Sequence, residues 1–384
     1  MRVIVVGAGV LGTMHAWQAV RRGHEVVHLE REEQARGASV RNFGLVWVGG
    51  RADGPELEAA LRARELWEEI GDRVPALGFR AGGSLTAVTT EAELAVARAA
   101  AERPDAARRG YHLLDADQVR ELNPALRGSA LLGGLWCERD AAVEPRTAQR
   151  ALQEALREDA AGRYAFLGGR EVRDVLAPRP GAAAAAVRDD RGEVHEGDAV
   201  VLCTGAWLGG LVRELVPEAP VRRVRLQMMQ TAPLDEKLTT SVADADSFRY
   251  YPAYGGPALD ALTAGQPQPP VAAEHRMQLL MVQRADGSLT IGDTHEYATP
   301  FAFDVDEDPY RHLTQVAERL LGRRLPPVRR RWAGVYAQCT DPGRVVLREP
   351  VPGRPGTWLV TGPGGRGMTC SPAIAERTAD ELGW

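Results

Sequence analysis

The first thirty residues move from one hydrophobic pattern to another. Val3 to Val6 is an unbroken apolar run, the pattern of a strand buried on both faces. A helix follows from about Val10 to Arg22, Gly23 ends it, and a second strand runs from Glu25 to Leu29 with Glu30 behind it. Farther along, PELEAALRARELWEEIGDRV (residues 55 to 74) is an amphipathic, charged helix. DAVVLCTGAW (198 to 207) is a buried strand, and VTGPGGRGMTCSPAIAERTADEL (360 to 382) reads as strand, loop and helix. Strands are also expected over 221 to 231, 277 to 283 and 288 to 292, with RADG (284 to 287) as a hairpin turn. The Pro/Gly-rich stretch 255 to 271 reads as a mobile loop, and Ala182 to Ala186 as a plain strand or loop. No internal repeat is visible.

The glycines give these elements chemical meaning. Gly7, Gly9 and Gly12 form G-x-G-x-x-G between the first strand and the first helix. Such glycines permit a tight turn, close approach to a pyrophosphate, and close helix–strand packing. The helix opening at Val10 and Leu11 then aims its amides at phosphates. Glu30, followed by Arg31, can accept both hydroxyls of a ribose. No buried parallel strand follows Glu30 promptly, as a nicotinamide-binding unit would require. Two more glycine-rich turns occur instead, at Thr204-Gly205-Ala206-Trp207 and at Gly362 to Gly367. Three such turns suit one long cofactor, FAD, better than NAD. The stretch GASVRNFGLVW (37 to 47) raises a separate question, because a surface loop explains Ser39 and Asn42 but not Leu45-Val46-Trp47.

Composition narrows the alternatives. A chain of 384 residues predicts two domains or one elaborated α/β unit. A net charge of -5 argues against nucleic acid or an anionic membrane as partner. Lys237 is the only lysine, so lysine-dependent mechanisms have one candidate. Cys137, Cys203, Cys339 and Cys370 form no C-x-x-C pair, which favours reduced, buried thiols over a metal site. No apolar run is long enough to span a bilayer and no secretory signal precedes the first strand, so a cytoplasmic protein is expected.

On these segments the chain resembles the D-amino-acid oxidase group of FAD-dependent oxidoreductases, which includes glycine oxidase and sarcosine oxidase. The resemblance covers essentially the whole chain. S-x-R-N-F-G (Ser39 to Gly44), E-P-R (Glu144 to Arg146), G-D-T-H-E-Y (Gly292 to Tyr297) and W-x-G-x-Y (Trp332 to Tyr336) are similar to a bacterial subgroup associated with aminophosphonate breakdown. The resemblance implies an α/β, two-domain fold. A Rossmann-like FAD-binding domain (1–80, 143–214 and 335–384) would interleave with a mixed, mainly antiparallel substrate-binding sheet domain (81–142 and 215–334). It also implies that FAD is held by Gly7, Gly9, Val10, Leu11, Gly12, Glu30, Arg31, Ser39, Arg41, Asn42, Gly44 and Val172. Thr204, Gly205, Trp207, Gly364, Gly365, Arg366, Gly367, Met368 and Thr369 complete that set. Ser39 and Arg41 would lie along the pyrophosphate and Asn42 to Gly44 beside the flavin ring. The cysteine that tethers flavin in some sarcosine oxidases aligns with Gly334, and Cys339 lies beyond it, so the FAD is expected to be non-covalent.

The departures from the family concern the substrate. Its carboxylate-gripping and oxygen-activating lysines align with Thr369 and Thr290, and the carboxylate-gripping arginine of glycine oxidase aligns with Tyr336. The usual carboxylate clamp is missing or rebuilt. His295, Tyr336, Tyr251 and Arg366 are the catalytic candidates, with Arg41, Arg249 and Tyr250 as further candidates for holding an anion. His295 either holds the substrate anion, takes an amine proton, or is a structural histidine bonded to Glu296. Tyr250 and Tyr251 would face opposite ways on a strand, so one of them should line the pocket. Arg249 reads as a solvated charge, and Glu144 as stabilising a turn with Arg146. The implied reaction is oxidative deamination or N-demethylation of a small anionic amine, N-methyl-2-aminoethylphosphonate among the candidates, to an imine and then an aldehyde. An N-methyl or D-amino acid oxidase or dehydrogenase, a non-catalytic flavin subunit of a hetero-complex, and a nicotinamide dehydrogenase remain alternatives. Oxygen or a quinone-type acceptor would take the electrons, and the protein would be a monomer or homo-oligomer.

Overall fold

A computed structural model describes residues 1–177 and 184–384. Its first sheet explains the opening apolar run. Six strands lie in the order Leu347–Pro350, Thr357–Thr361, Ala199–Leu202, Arg2–Val6, Glu25–Glu30 and Tyr164–Gly168. All neighbours are parallel except the antiparallel edge pair Leu347–Pro350 and Thr357–Thr361. Val3 and Val5 pack on a helical layer that includes Met14, Trp67 and Leu152. Ile4 and Val6 pack on the other side against Val172, Val175 and Val187 of a three-stranded antiparallel sheet. Because alternate residues of a strand point to opposite faces, covering both faces requires every residue to be apolar.

The helices Val10–Arg21, Pro55–Arg73 and Gly367–Glu381 occur where the pattern predicts them. Tyr164–Gly168 was not anticipated. It is the parallel neighbour of Glu25–Glu30 but arrives more than a hundred residues later, so nothing local to Glu30 announces it.

A second, eight-stranded sheet runs Val328–Cys339, Val221–Pro233, Ser288–Gly292, Leu280–Gln283, Ser241–Ala243, Ser84–Val88, Gly133–Cys137 and Tyr111–Asp115. Its neighbours are antiparallel apart from Ser241–Ala243 with Ser84–Val88. The strand expected over 277 to 283 is shorter, because residues 277 to 279 lead into it. RADG closes the expected hairpin: Gly287 has φ 80 and donates to the Arg284 carbonyl at 2.9 Å. The stretch 255 to 271 is not a loop. It forms the helix Pro257–Gly265 and begins the helix Pro270–Glu274. Proline is favoured in a first helical turn, and the intervening ALDALTA has good helix formers. Leu262 is buried in the same cluster as Val96 and Ala97 of the helix Glu91–Ala101.

In the alanine patch, Ala182 and Ala183 lie outside the described residues, while Ala185 and Ala186 belong to a strand. Glu144 does not pair with Arg146. It binds Arg80 at 2.5 Å and accepts from the Ala285 amide at 3.2 Å, and Arg146 packs over Trp332 at 4.8 Å. All four cysteines are buried and free. No described helix is long and apolar enough to cross a membrane.

Candidate active site

The glycine turn is built by backbone packed on backbone. Gly7 has φ 100, and a Cβ there would lie 2.4 Å from the Cys203 carbonyl. A Cβ on Gly12 would lie 1.8 Å from the Gly7 carbonyl, so only glycine brings this helix onto this strand. His28 supports the turn from below. Its Nε2 lies 3.0 Å from the Gly7 carbonyl and its Nδ1 3.0 Å from the Tyr164 hydroxyl. The carbonyl can only accept, so Nε2 carries the hydrogen and Nδ1 accepts from the phenol. Burial lowers the His28 pKa to about 4. The Val10 amide donates to Ser39 Oγ at 2.8 Å. Glu30 accepts from the Ala8 amide at 2.7 Å and the Glu32 amide at 3.1 Å.

From this turn a single cavity of about 950 Å³ runs to the second sheet. At one end lie Arg31, Val172 and Trp207, with the Arg31 guanidinium 4.4 Å from the Trp207 ring centroid. Gly7, Gly9, Val10, Leu11, Glu30, Ser39, Arg41, Asn42, Thr204 and Gly205 continue the wall, then Gly364, Gly365, Arg366, Gly367 and Met368. Tyr251, His295 and Tyr336 line the far end. Three anticipated residues sit behind this wall. Gly12 makes the close packing just described. Gly44, with φ 71, abuts the Val143 carbonyl. Thr369 is buried, and its hydroxyl accepts from the Trp47 amide at 2.9 Å. Leu45, Val46 and Trp47 are buried as well, with Leu45 and Trp47 on the cavity wall.

The cations picked out by sequence already have partners within the protein. Arg41 is exposed and donates to the Arg36 and Ala333 carbonyls at 2.9 and 3.1 Å. Arg366 pairs with Glu56 at 2.8 Å and binds the Pro363 carbonyl at 3.0 Å. Arg249 is neither solvated nor in the cavity. It is held by Asp246 at 2.9 Å, Thr263 at 3.0 Å and the Gln266 carbonyl at 2.5 Å.

At the far end both Tyr250 and Tyr251 line the cavity. The expectation of opposite faces fails because they end the helix Asp246–Tyr250 rather than lie on a strand. Tyr251 stacks on Trp47 at 5.3 Å, and Tyr250 on His295 at 4.1 Å. His295 donates from Nδ1 to the Arg276 carbonyl at 3.0 Å, with Nε2 3.7 Å from Asp293 Oδ2. It does not bind Glu296, which pairs with Arg225 at 2.7 Å. Thr290 is buried on its strand, outside the cavity wall.

Three lining residues escaped the sequence reading. Arg51 is buried, donates from Nε to the Trp47 carbonyl at 2.7 Å and from Nη2 to Thr369 at 3.3 Å, and faces Glu56 at 3.7 Å. Glu56 is bound more tightly by Arg366, which leaves the Arg51 charge only partly offset. Asp293 is buried, and burial raises its pKa. Gln278 reaches the Tyr251 hydroxyl at 3.4 Å. Asp293 Oδ1, Gln278 Oε1, Tyr336 Oη and Thr204 Oγ1 are buried with no partner among the described residues, an arrangement that marks ligand-facing atoms. The motif G-D-T-H-E-Y contained Asp293 and could have drawn attention to it. Nothing in the sequence around Arg51 could.

A family model described as FAD dependent oxidoreductase (DAO) matches residues 2–381. The chain belongs to this DAO family. Its cofactor is FAD, and the site fits it: the cavity is long, glycines border it at both turns, a Cβ at Gly205 would enter open space, and Thr204 presents a free hydroxyl. Among curated relatives of this DAO-family chain, glycine oxidase of Pseudomonas aeruginosa is 29% identical, over 99% of this chain and 94% of the relative. Among solved structures, glycine oxidase from Bacillus cereus superposes with TM-score 0.77 at 17% identity, covering 100% of this chain and 94% of that one. L-proline dehydrogenase from P. horikoshii superposes with TM-score 0.78 at 19% identity, covering 99% and 92%. At these identities the structures establish a shared mixed α/β fold.

Proposed function

We propose that the protein oxidises a small amine that carries an anionic group, by oxidative deamination or N-demethylation. When bound, FAD accepts a hydride from the carbon next to the nitrogen. The observation that carries the reading is the far end of the cavity, a buried chamber whose polar atoms await a ligand beside the partly offset charge of Arg51. Membership of the family and a glycine oxidase relative along nearly the whole chain support the amine part.

In this reading Gly7, Gly9 and the amides at Val10 and Leu11 receive the pyrophosphate, and Glu30 receives the ribose. Ser39, Arg41, Asn42, Thr204 and the Gly364–Met368 turn complete the cofactor wall. The FAD-binding segments are 1–80, 143–214 and 335–384, and the substrate segments 81–142 and 215–334. Arg51 takes the substrate anion and Tyr336 donates its hydroxyl to it. Burial holds the Tyr336 phenol in its protonated, donating form. Holding the reacting carbon in place is the main contribution of the protein. Carboxylate and phosphonate both suit a guanidinium with hydroxyl donors, so N-methyl-2-aminoethylphosphonate stands beside sarcosine- and glycine-type substrates.

Anaerobic titration of the flavin absorbance with glycine, sarcosine, D-alanine, 2-aminoethylphosphonate and its N-methyl derivative tests the proposal. Bleaching by one or more is expected, and admitting oxygen or a quinone then identifies the acceptor. A protein that takes up no FAD, or a flavin that no amine bleaches, would overturn the reading; the second result would favour a non-catalytic subunit.

A further inference from the structure

We propose that Asp293 is the group that receives the substrate nitrogen: with Gln278 it binds the amine as an ammonium and accepts its proton before the hydride leaves. This rests on the amine-oxidation reading above. Asp293 follows the strand Ser288–Gly292, is 5% exposed and lines the cavity. Its Oδ1 is buried without a close donor among the described residues, and the Gln278 amide is the one neutral side chain that supports the Asp293 carboxylate. A buried carboxylate with a single amide neighbour keeps lone pairs without donors, which indicates a partner that brings hydrogens. An amine nitrogen does so. A carboxylate has none to offer, and a carboxylate or phosphonate anion is repelled by a carboxylate.

The surroundings make the chamber bipolar. Gln278 reaches the Tyr251 hydroxyl at 3.4 Å, and the Arg51 guanidinium lies 5.9 Å from the Tyr251 ring centroid. Carboxyl and guanidinium thus flank one tyrosine, an arrangement complementary to a zwitterion with its cation at Asp293 and its anion at Arg51. The groups facing Asp293 are His295 on its own loop, Gln278, Tyr250 and Tyr251 from the end of the helix Asp246–Tyr250, and Tyr336 from the strand Val328–Cys339. Burial raises the pKa of all three tyrosines, so they stand beside Asp293 as protonated phenols. Burial also raises the Asp293 pKa, making it a stronger base than an exposed carboxylate.

The chemistry balances. An N–H bond of the ammonium breaks and an O–H bond forms at Asp293 Oδ1, which returns the lone pair to nitrogen. That pair would form the C=N bond as the C–H bond of the adjacent carbon breaks, its hydrogen and two electrons being those that FAD, when bound, would accept.

Holoenzyme carrying Asp293→Asn tests this by anaerobic stopped-flow, with sarcosine and N-methyl-2-aminoethylphosphonate as amines. Methoxyacetate and 2-methoxyethylphosphonate serve as ligands in which oxygen replaces the nitrogen. The variant should keep its flavin and bind the oxygen ligands within about twofold of wild type, while flavin reduction slows on the order of 100-fold or more, the usual loss of a general base. Its reduction should also rise tenfold per pH unit up to the amine's own pKa, a dependence absent from wild type. Equal rates and pH profiles in both proteins would overturn the proposal and leave amine oxidation standing. If the variant loses its flavin, wild type alone decides: reduction that follows the free-base fraction of the amine also overturns it. Wild type reduced by no amine overturns the amine reading and this proposal together.

Discussion

Around Gly7 the cavity wall is backbone, and around Tyr336 it is side chains. At the first end the turn is braced from within the protein, from the Gly7 amide on the Leu29 carbonyl to His28 bridging Gly7 and Tyr164. At the second, Asp293, Gln278 and Tyr336 keep buried atoms unpartnered. The contrast follows from the two ligands. A pyrophosphate is recognised by the same amides wherever the turn forms, whereas a small substrate needs particular groups aimed at particular atoms. The turn end therefore has no room for change, and the tyrosine end stores its unsatisfied groups for the ligand.

The largest expected effect breaks the first end. Gly12→Ala puts a Cβ 1.8 Å from the Gly7 carbonyl, a backbone clash beyond the roughly 1–3 kcal/mol of ordinary overpacking. The purified protein should carry little or no flavin, read from its flavin-to-protein absorbance ratio.

Acid should act with opposite sign at the two ends. Burial lowers His15 and His28 to about 4 from 6.5, so the folded state binds fewer protons than the unfolded chain between those values. Their stability is fully present above about pH 6.5 and is lost as pH falls toward 4, by about 3 kcal/mol each. Asp293 and Asp140 are raised by burial, so they favour folding most below the ordinary carboxylate range and lose that contribution as pH rises through their folded pKa. Replacing His28 by Gln should remove about 3 kcal/mol of the loss between pH 6.5 and 4, measured by urea unfolding across that range.

At the substrate end, Arg51→Met should weaken binding of anionic amines on the order of 100-fold, the loss of one buried charge partner, with the flavin content retained. The dissociation constant from stopped-flow flavin reduction reads this directly, and an unchanged value would remove Arg51 from the anion site. Smallest is Tyr336→Phe. Removing an unpartnered hydroxyl should leave thermal stability within about 0.5 kcal/mol yet weaken substrate binding about tenfold, the worth of one hydrogen bond. A large stability loss would show that the hydroxyl serves the fold.

Legibility followed the same division. The strand Arg2–Val6, the glycine turn, Glu30 and the C-terminal strand–loop–helix were readable because each depends on residues a few positions apart. Tyr164–Gly168 was invisible because its pairing with Glu25–Glu30 is made across a long insertion. His295 was singled out, though its partners are the Arg276 carbonyl and the Tyr250 ring rather than the adjacent Glu296. Arg41, Arg249 and Arg366 are anion candidates by charge; Arg41 and Arg366 are engaged by a carbonyl and a carboxylate that only folding brings near, and Arg249 by Asp246 on its own helix and by the Gln266 carbonyl.

By itself, then, the sequence determined the backbone architecture of the cofactor end, because tight turns, positive φ and two-sided burial restrict residue types over short spans. The tertiary structure alone decided which polar groups share the substrate wall. Arg51, Tyr251, Gln278, Asp293 and Tyr336 come from separate elements, and whether a buried charge is neutralised or left facing a cavity depends on neighbours that chain order does not specify.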